Sequence, residues 1–430
     1  MKAREEGNLT PGEIDEVQRQ AWSETFHYVS HHSPFYRRHF LEAGLKPGME
    51  LPLSQIESIP PIDKATLSAN LEAFLCVPDK KIIDVVTTSG STGKPLIWKL
   101  TERDLERLGR NEYLSFRCVG LSDADTVLLA VALDRCFIAG MAYFLGLRKL
   151  GCSVVRAGPA SPLMQLELIQ RLRATAVVGV PSFLRLVADK AAEIGFNLRQ
   201  AGVTKAICIG EPVRQPNLAL NSAGEVLEGR WGAKVFSTYG VTELAASLCE
   251  CEADSGGHLH PELLFLEVLE EAGRRVPDGE IGELTATTLG VEGMPLVRYR
   301  TGDCGALFHD RCSCGRATAR LGPIVGRKHQ KLKVKGTTLF PSTLKEVLDA
   351  EPGVTSYVVL ARREKALCDT IEIRLDCAGS SEQICHALRE RFQAKAKVVP
   401  QLTLATAAEI QALQQPEGGR KRCYFVDLRD

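Results

Sequence analysis

Residues 84–96 read Asp-Val-Val-Thr-Thr-Ser-Gly-Ser-Thr-Gly-Lys-Pro-Leu, a strand-like run that enters a loop of small hydroxyl residues and glycine and then reaches a lysine. Such a loop, Thr88, Ser89, Gly90, Ser91, Thr92, Gly93 and Lys94, can aim backbone N–H groups and hydroxyls at phosphate oxygens while Lys94 adds a mobile positive charge. A nucleoside triphosphate fits this chemistry. A Walker loop does not, because Thr88 and Pro95 stand where that pattern requires Gly and Ser or Thr. A flexible Ser/Gly turn is the other reading of the loop taken alone.

Cys249, Cys251, His258, Cys312 and Cys314 form a second constellation. Thiolates and imidazole together suit Zn²⁺ in a closed tetrahedral site, and Gly315 lets the chain turn around a metal. Cys-x-Cys is tighter than the usual Cys-x₂-Cys, so the spacing alone leaves open a set of reduced cysteines, with His260 as a rival ligand.

The elements that position these groups follow from the pattern of the chain. Its 430 residues suggest two to four domains, and 44% hydrophobic with 25% charged residues describes a globular chain with a sizeable core. The 53 basic residues balance the 53 acidic ones, which removes the broad attraction on which non-specific nucleic-acid binding depends. The longest strongly apolar stretch, 127–133, is far short of a bilayer span, so no membrane partner is expected. The polar, acidic start of the chain lacks the apolar core of a secretory peptide, giving a cytoplasmic expectation with reduced cysteines, most of them buried.

Residues 1–75 read as short helices joined by proline turns, with an exposed helix in the segment 31–47. From 81 to about 270, β-rich runs (126–132, 152–155, 176–180, 206–209, 234–237) alternate with helix-length segments such as 162–173 and 182–194, the layout of a largely parallel sheet. Residues 264–309 carry short strands and turn residues without long helices, an antiparallel β subdomain. After 326 the order is β-α-β-β-α, a small α+β domain. The fold class is therefore α/β: a large N-terminal body with a β subdomain over 1–326, and a small mobile C-terminal α+β domain over 327–430.

The chain resembles the adenylate-forming superfamily, and within it the phenylacetate–coenzyme A ligases. The resemblance runs through the segments 33–45 and 60–67, the loop 87–95, Gly210-Glu211-Pro212, Tyr239 to Glu243, Arg298 to Asp303, Gly326-Arg327 and Lys333 to Gly336, in that order. It implies a two-step reaction in which a carboxylate attacks the α-phosphate of ATP, giving an acyl-adenylate and pyrophosphate, and coenzyme A then displaces AMP. An anionic nucleophile approaching a tetra-anionic nucleotide needs charge neutralisation and fixed donors, which Mg²⁺ and the loop supply.

By the same resemblance, Thr88 to Lys94 bind the β- and γ-phosphates, and Gly210, Glu211 and Pro212 line the adenine pocket. Tyr239 packs against adenine beside Gly240, Thr242 contacts the α-phosphate or the carboxylate, and Glu243 holds Mg²⁺. Asp303 accepts from both ribose hydroxyls and Arg327 donates to ribose or phosphate. Ordinary turn chemistry at Asp303, a core aromatic at Tyr239 and a solvated helix start at Glu243 are the alternatives.

The family's small domain rotates about a pivot just after the Gly-Arg pair, where an acidic residue is usual and this chain has Lys328-His329-Gln330. Lys335, with Gly336, resembles the segment that faces the active site during thioester formation. The catalytic lysine of adenylation lies near the C-terminus: counting from Glu417-Gly418 puts Gly419 in its place, whereas counting back from Asp427-Leu428-Arg429 puts Lys421 there, the register preferred here. Some relatives carry a Cys, a His seven residues on and a distal Cys-x-Cys, which Cys251, His258, Cys312 and Cys314 match, implying a structural zinc. The acyl pocket would lie near Phe137, Ile138, Gly140 and Pro181, favouring an apolar or aryl acid, although these residues could equally be core.

The expected partners are thus a small carboxylic acid, ATP and coenzyme A, in a monomer or homodimer. An enzyme passing the acyl group to an amine or a carrier-protein thiol, and a catalytically impaired nucleotide-binding homologue, are the alternatives.

Overall fold

The computed structural model describes residues 9–46, 48–88, 95–334, 337–365, 368–414 and 423–429. They fall into two compact units that divide between Ile324 and Val325, two residues before the boundary expected from the sequence.

The first unit opens with α1 (Pro11–His32), started by a capping box in which Thr10 and Glu13 each accept from the other's backbone N–H. Helix α2 (Pro34–Glu42) occupies the segment expected to be an exposed helix, but it buries Phe35, Tyr36 and Phe40. Its aromatics lie on one face and its Arg37 and Arg38 on the other, and the apolar face wins its partner: Phe35 stacks on Phe74 at 4.1 Å and the Tyr36 hydroxyl accepts from Val297 N–H at 2.7 Å. After α3 (Lys64–Ala69), the antiparallel hairpin β1 (Asp84–Thr87) and β2 (Ile97–Leu100) flanks the glycine-rich loop, and α4 (Glu102–Cys118) follows.

The body is a six-stranded sheet. Its strands and helices alternate: β3 (Thr126–Leu129), α5 (Ile138–Leu150), β4 (Ser153–Val155), α6 (Pro162–Leu172), β5 (Ala176–Gly179), α7 (Pro181–Glu193), β6 (Lys205–Ile209), α8 (Ser222–Trp231), β7 (Lys234–Val241) and β8 (Ala246–Cys249). The order is β4-β3-β5-β6-β7-β8, parallel except for the antiparallel edge strand β8. Period-two alternation splits the core: Leu128, Val177, Cys208 and Val235 pack towards α6, α7 and α8, while Val127, Val178, Ile207 and Phe236 pack towards α4 and α5. Strand β7 runs on to Val241, four residues beyond the expected 234–237, because β8 pairs along its far end.

The β subdomain comprises β9 (Gly257–His258), β10 (Leu264–Leu269), β11 (Gly282–Thr288), β12 (Tyr299–Gly305), β13 (Leu307–Phe308) and β14 (Arg320–Leu321), with antiparallel pairing β10-β11-β12 and β13-β14-β9. Arg298 belongs to the Arg298–Asp303 motif yet is structural. Buried at 2% exposure, it pairs with Glu267 through two contacts of 3.0 and 3.1 Å and donates to Ile59 O at 2.7 Å, tying the N-terminal segment to the subdomain.

The second unit carries β15 (Gly326–Arg327), the hairpin β16 (Leu332–Val334) and β17 (Thr337–Leu339), α9 (Pro341–Asp349), β18 (Val354–Lys365), β19 (Cys368–Cys377), α10 (Ser381–Lys395), β20 (Gln401–Leu404), α11 (Ala407–Gln414) and β21 (Phe425–Asp427). Its sheet runs β20-β19-β18-β21 over one core that includes Leu344, Val359, Ile373 and Phe392. The last three elements extend beyond the expected β-α-β-β-α order.

Candidate active site

Three of the segments singled out in the sequence lie where parallel strands end. Pro181 begins α7 just after β5, Gly210-Glu211-Pro212 follows β6, and Tyr239 to Val241 form the end of β7. In an open α/β sheet the carboxyl ends of adjacent strands leave a crevice that a ligand can enter. Gly210 adopts φ +73°, a turn that glycine makes without steric cost. Glu211 points back to α7, where its carboxylate accepts from Ser182 N–H at 3.0 Å and from the Ser182 hydroxyl at 2.7 Å, favourable for an anion at a helix start. Behind this turn, buried Arg214 binds Glu250 at 3.0 Å and Asp254 at 2.7 Å, and Glu250 also accepts from Ser237 N–H.

Tyr239 and Asp303, far apart in sequence, are brought together: the tyrosine hydroxyl donates to Asp303 Oδ2 at 2.9 Å. Burial, reinforced by the Asp303 charge, holds the phenol neutral and well above its ordinary range. Gly240 is exposed beside it, and Asp303 is buried in β12 with its N–H donating to Thr301 Oγ1 at 3.1 Å. Thr242 starts a single 3₁₀ turn, Thr242–Leu244, that closes on Ala245 in left-handed conformation at φ +44°. The turn buries the Glu243 carboxylate at 6% exposure, with Lys64 Nζ at 3.7 Å, so Glu243 is not at a solvated helix start. A carboxylate oxygen is the hard donor that a divalent ion takes, and Lys64 is the cation paired with it here.

Thr88 is buried, and it exchanges hydrogen bonds of 3.0 Å with Leu96: its N–H donates to Leu96 O and its Oγ1 accepts from Leu96 N–H. Ser89, Gly90, Ser91, Thr92, Gly93, Lys94, Lys335 and Lys421 lie outside the described residues. Arg327 ends β15, and the pivot residues Lys328–Gln330 form a 3₁₀ turn. Of the acyl-wall residues, Phe137 packs on the core between the sheet and α4–α5, Ile138 enters the core beneath the β1–β2 hairpin, and Pro181 is buried at the start of α7. A Cβ at Gly140 would lie 2.0 Å from Ala132 O, so α5 can approach only with glycine there.

Sequence reasoning missed the buried polar face of α4. Arg107 donates to the carbonyls of Leu289 at 2.7 Å and Ala245 at 2.8 Å, and to that of Leu263. Asn111 and Ser115 both donate to Ser247 O, at 3.0 and 3.1 Å. Spacing of four residues was the available signal, since Arg107, Asn111 and Ser115 fall on one helix face with Leu108 and Leu114. Glu112 accepts from Ser247 Oγ at 2.7 Å and Asn111 Nδ2 at 3.0 Å, but burial outweighs both and pushes its carboxyl up to about 7. A folded-state value above the unfolded one makes this group's stabilising contribution full below about pH 4.5 and lost as pH rises through about 7. Glu112→Gln should therefore remove about 3 kcal/mol of the fall in stability over that window, read from urea midpoints measured from pH 4.5 to 7.5.

The candidate metal ligands converge. One donor atom each from Cys251, His258, Cys312 and Cys314 lies within 4.8 Å of every other, with Cys251 Sγ and Cys312 Sγ 3.6 Å apart and Cys314 Sγ 3.4 Å from His258 Nε2. Ligands at tetrahedral corners about 2.0–2.3 Å from zinc stand roughly 3.3–3.8 Å apart, so the cluster fits that ion. His258 Nδ1 meets Thr318 Oγ1 at 2.9 Å, which leaves Nε2 for a metal, and burial with Arg316 and Arg320 holds the ring neutral, pulling its pKa down to about 3. His260 is not in the cluster: its Nε2 meets Ser115 Oγ at 3.1 Å. Cys249 is likewise engaged elsewhere, 2.9 Å from Thr238 Oγ1. Eight of the described cysteines are buried, as expected for thiols that are mostly core.

Comparison with known proteins agrees with this geometry. Residues 59–292 match the AMP-binding enzyme family. The chain is 30% identical to the phenylacetate-coenzyme A ligase of Thermus thermophilus over 425 residues, covering 94% of both chains, and 26% identical to that of Escherichia coli K12, covering 97% of this chain and 95% of the relative. Among solved structures, 2-hydroxyisobutyryl-CoA ligase in the postadenylation state with R3-HIB-AMP superposes with a TM-score of 0.86 at 22% identity, over 99% of this chain and 91% of that one. No helix among the described residues is long and apolar enough to cross a membrane. The chain belongs to the AMP-binding enzyme family, as a phenylacetate–coenzyme A ligase-like, AMP-forming acid–CoA ligase.

Proposed function

We propose that the enzyme activates a small apolar or aryl carboxylic acid with ATP and Mg²⁺ and passes the acyl group to coenzyme A. The observation that carries this reading is the hydrogen bond from Tyr239, at the end of parallel strand β7, to Asp303 of β12, beside the buried Glu243 turn. Tyr239 offers a flat, neutral face for adenine, and Asp303, an acceptor-only carboxylate, suits the ribose diol. The backbone of Gly210 to Pro212 forms the other wall of the purine site, Gly240 leaves room beside the ring, and Arg327 serves ribose or phosphate.

Thr242 contributes a hydroxyl towards the α-phosphate or the acid. Glu243 would hold Mg²⁺, which neutralises phosphate charge when bound. Thr88 to Lys94 bind the β- and γ-phosphates, Lys421 neutralises the adenylation transition state, and Lys335 serves the thioester step. Phe137, Ile138, Gly140 and Pro181 form the acyl wall, whose apolar character selects the acid class. Cys251, His258, Cys312 and Cys314 hold a structural zinc. The small domain, 327–430, moves between the two half-reactions about the 3₁₀ turn at Lys328.

The test is pyrophosphate and AMP release from Mg-ATP across a panel of aryl, short aliphatic and sugar acids, with and without coenzyme A. Turnover with aryl or apolar acids and coenzyme A-dependent AMP release is the expected result. Preference for a sugar acid, or full AMP release with an amine in place of coenzyme A, would overturn it.

A further inference from the structure

A guanidinium taken out of water calls for a reason. Arg107 is 7% exposed, and burial draws its pKa down to about 10 although the charges of Asp104 and Glu262 oppose the shift. Its hydrogen bonds go to backbone carbonyls from three separate segments: Leu244 and Ala245 at the end of the Glu243 turn, Leu263 before β10, and Leu289 after β11. The carbonyls of Leu244 and Ala245 lie where the 3₁₀ turn breaks off in left-handed backbone at a residue that is not glycine. Such a conformation persists only where its surroundings over-determine it, and a planar fork with five donors does so better than any neutral side chain.

The neighbouring donors show that this is more than helix packing. Asn111 and Ser115 repeat the contact one and two turns along α4, serving Ser247 O on the unpaired side of edge strand β8. Arg107 alone reaches back to the turn that carries Thr242 and Glu243.

We infer that Arg107 is a positioning residue for adenylation: by clamping the carbonyls of Leu244 and Ala245 to the helix, it fixes the direction in which Glu243 presents its carboxylate. The inference rests on Glu243 as the magnesium ligand and deepens that reading. Lysine at this position keeps the charge but cannot span carbonyls of three segments with one compact ammonium.

The experiment compares the Mg²⁺ concentration for half-maximal pyrophosphate release in wild type, Arg107→Lys, Asn111→Ala and Glu243→Gln, with melting temperatures recorded for each. Arg107→Lys should raise that midpoint roughly tenfold and lower kcat for pyrophosphate release, while thioester formation from supplied acyl-adenylate and coenzyme A stays within about twofold. Asn111→Ala loosens the same helix–strand contact without touching the turn and should leave the midpoint unmoved despite a lower melting temperature. Arg107→Gln, which keeps donors without the charge, must show the same shift if the lysine variant does not accumulate folded. An unmoved midpoint in the Arg107 variants beside a shifted one in Glu243→Gln overturns the positioning role. So does an equal shift in Asn111→Ala, which would mean general loosening. An unmoved midpoint in Glu243→Gln removes the magnesium assignment itself, and the inference with it.

Discussion

Lys421→Ala is expected to cut acid-dependent pyrophosphate release by roughly 10²-fold or more, while thioester formation from supplied acyl-adenylate and coenzyme A changes little. The asymmetry follows from charge. Adenylation brings a carboxylate against a phosphate and develops negative charge between them, whereas thioester formation begins from an adenylate in which that repulsion has already been overcome. A cation placed for the first step is therefore most needed there. The choice of Lys421 over the position of Gly419 depends on which end of the segment is counted from, and the fold pins its C-terminal flank. Arg429 binds Asp369 Oδ2 at 2.9 Å, Lys331 O at 2.8 Å and His329 O at 2.9 Å, and it also pairs with Asp427. Tyr424 O accepts from Val359 N–H, and Cys423 N–H donates to Gln414 O. The measurement is single-turnover pyrophosphate release beside the thioester half-reaction. Wild-type rates for both in Lys421→Ala would mean that another residue supplies the charge.

What was legible in the sequence was the part written in local pattern. Alternation of β-rich runs and helix-length segments carried the parallel sheet, because each βαβ unit spells out its own period. Order and spacing of short motifs carried the ligase reading, and the structure joins Tyr239 to Asp303 across 64 residues, a contact that the motifs alone do not specify. Two kinds of feature were not legible, and a third was legible only by resemblance. The burial of α2 depends on Phe74 and Val297, which no local window contains. Arg107, Asn111 and Ser115 look like an ordinary polar helix face until β8 is placed against it as an edge strand. The choice of His258 over His260 came from the resemblance and not from local pattern: the two are two residues apart and would lie on the same side in a regular strand, but the chain leaves β9 at His258 and turns His260 towards α4. Arg298 shows the converse hazard, since a residue inside a ligand-associated motif is spent on holding Glu267 and the N-terminal segment.

Stripping zinc, or replacing Cys314 by serine, should lower the melting temperature on the order of 10 °C without unfolding the chain outright. The argument starts from connectivity. Cys251 lies just beyond β8, His258 is in β9, and Cys312 and Cys314 lie between β13 and β14, so one ion would tie the sheet's edge strand to the subdomain through three otherwise weakly held segments. Strands β9, β13 and β14 are two residues long apiece and cannot hold one another by backbone pairing alone. Yet the first unit has a large core of its own, including Trp22, Phe74, Trp98 and Tyr299, so metal loss should loosen the subdomain before it melts the sheet. The protein as purified should carry one zinc per chain by elemental analysis, and chelation should lower the melting temperature and be reversed by added zinc. Cys249→Ser and His260→Ala should keep the metal, because those side chains are bound to Thr238 and Ser115 instead. Protein that contains no zinc as purified, takes up none, and melts at the same temperature with and without chelator would leave the four side chains as a packed cluster of thiols around a neutral histidine. In that case Arg316, which donates to Cys314 Sγ and to Arg117 O, would be the group that joins the subdomain to α4, and Arg316→Met would take over the role of the destabilising substitution.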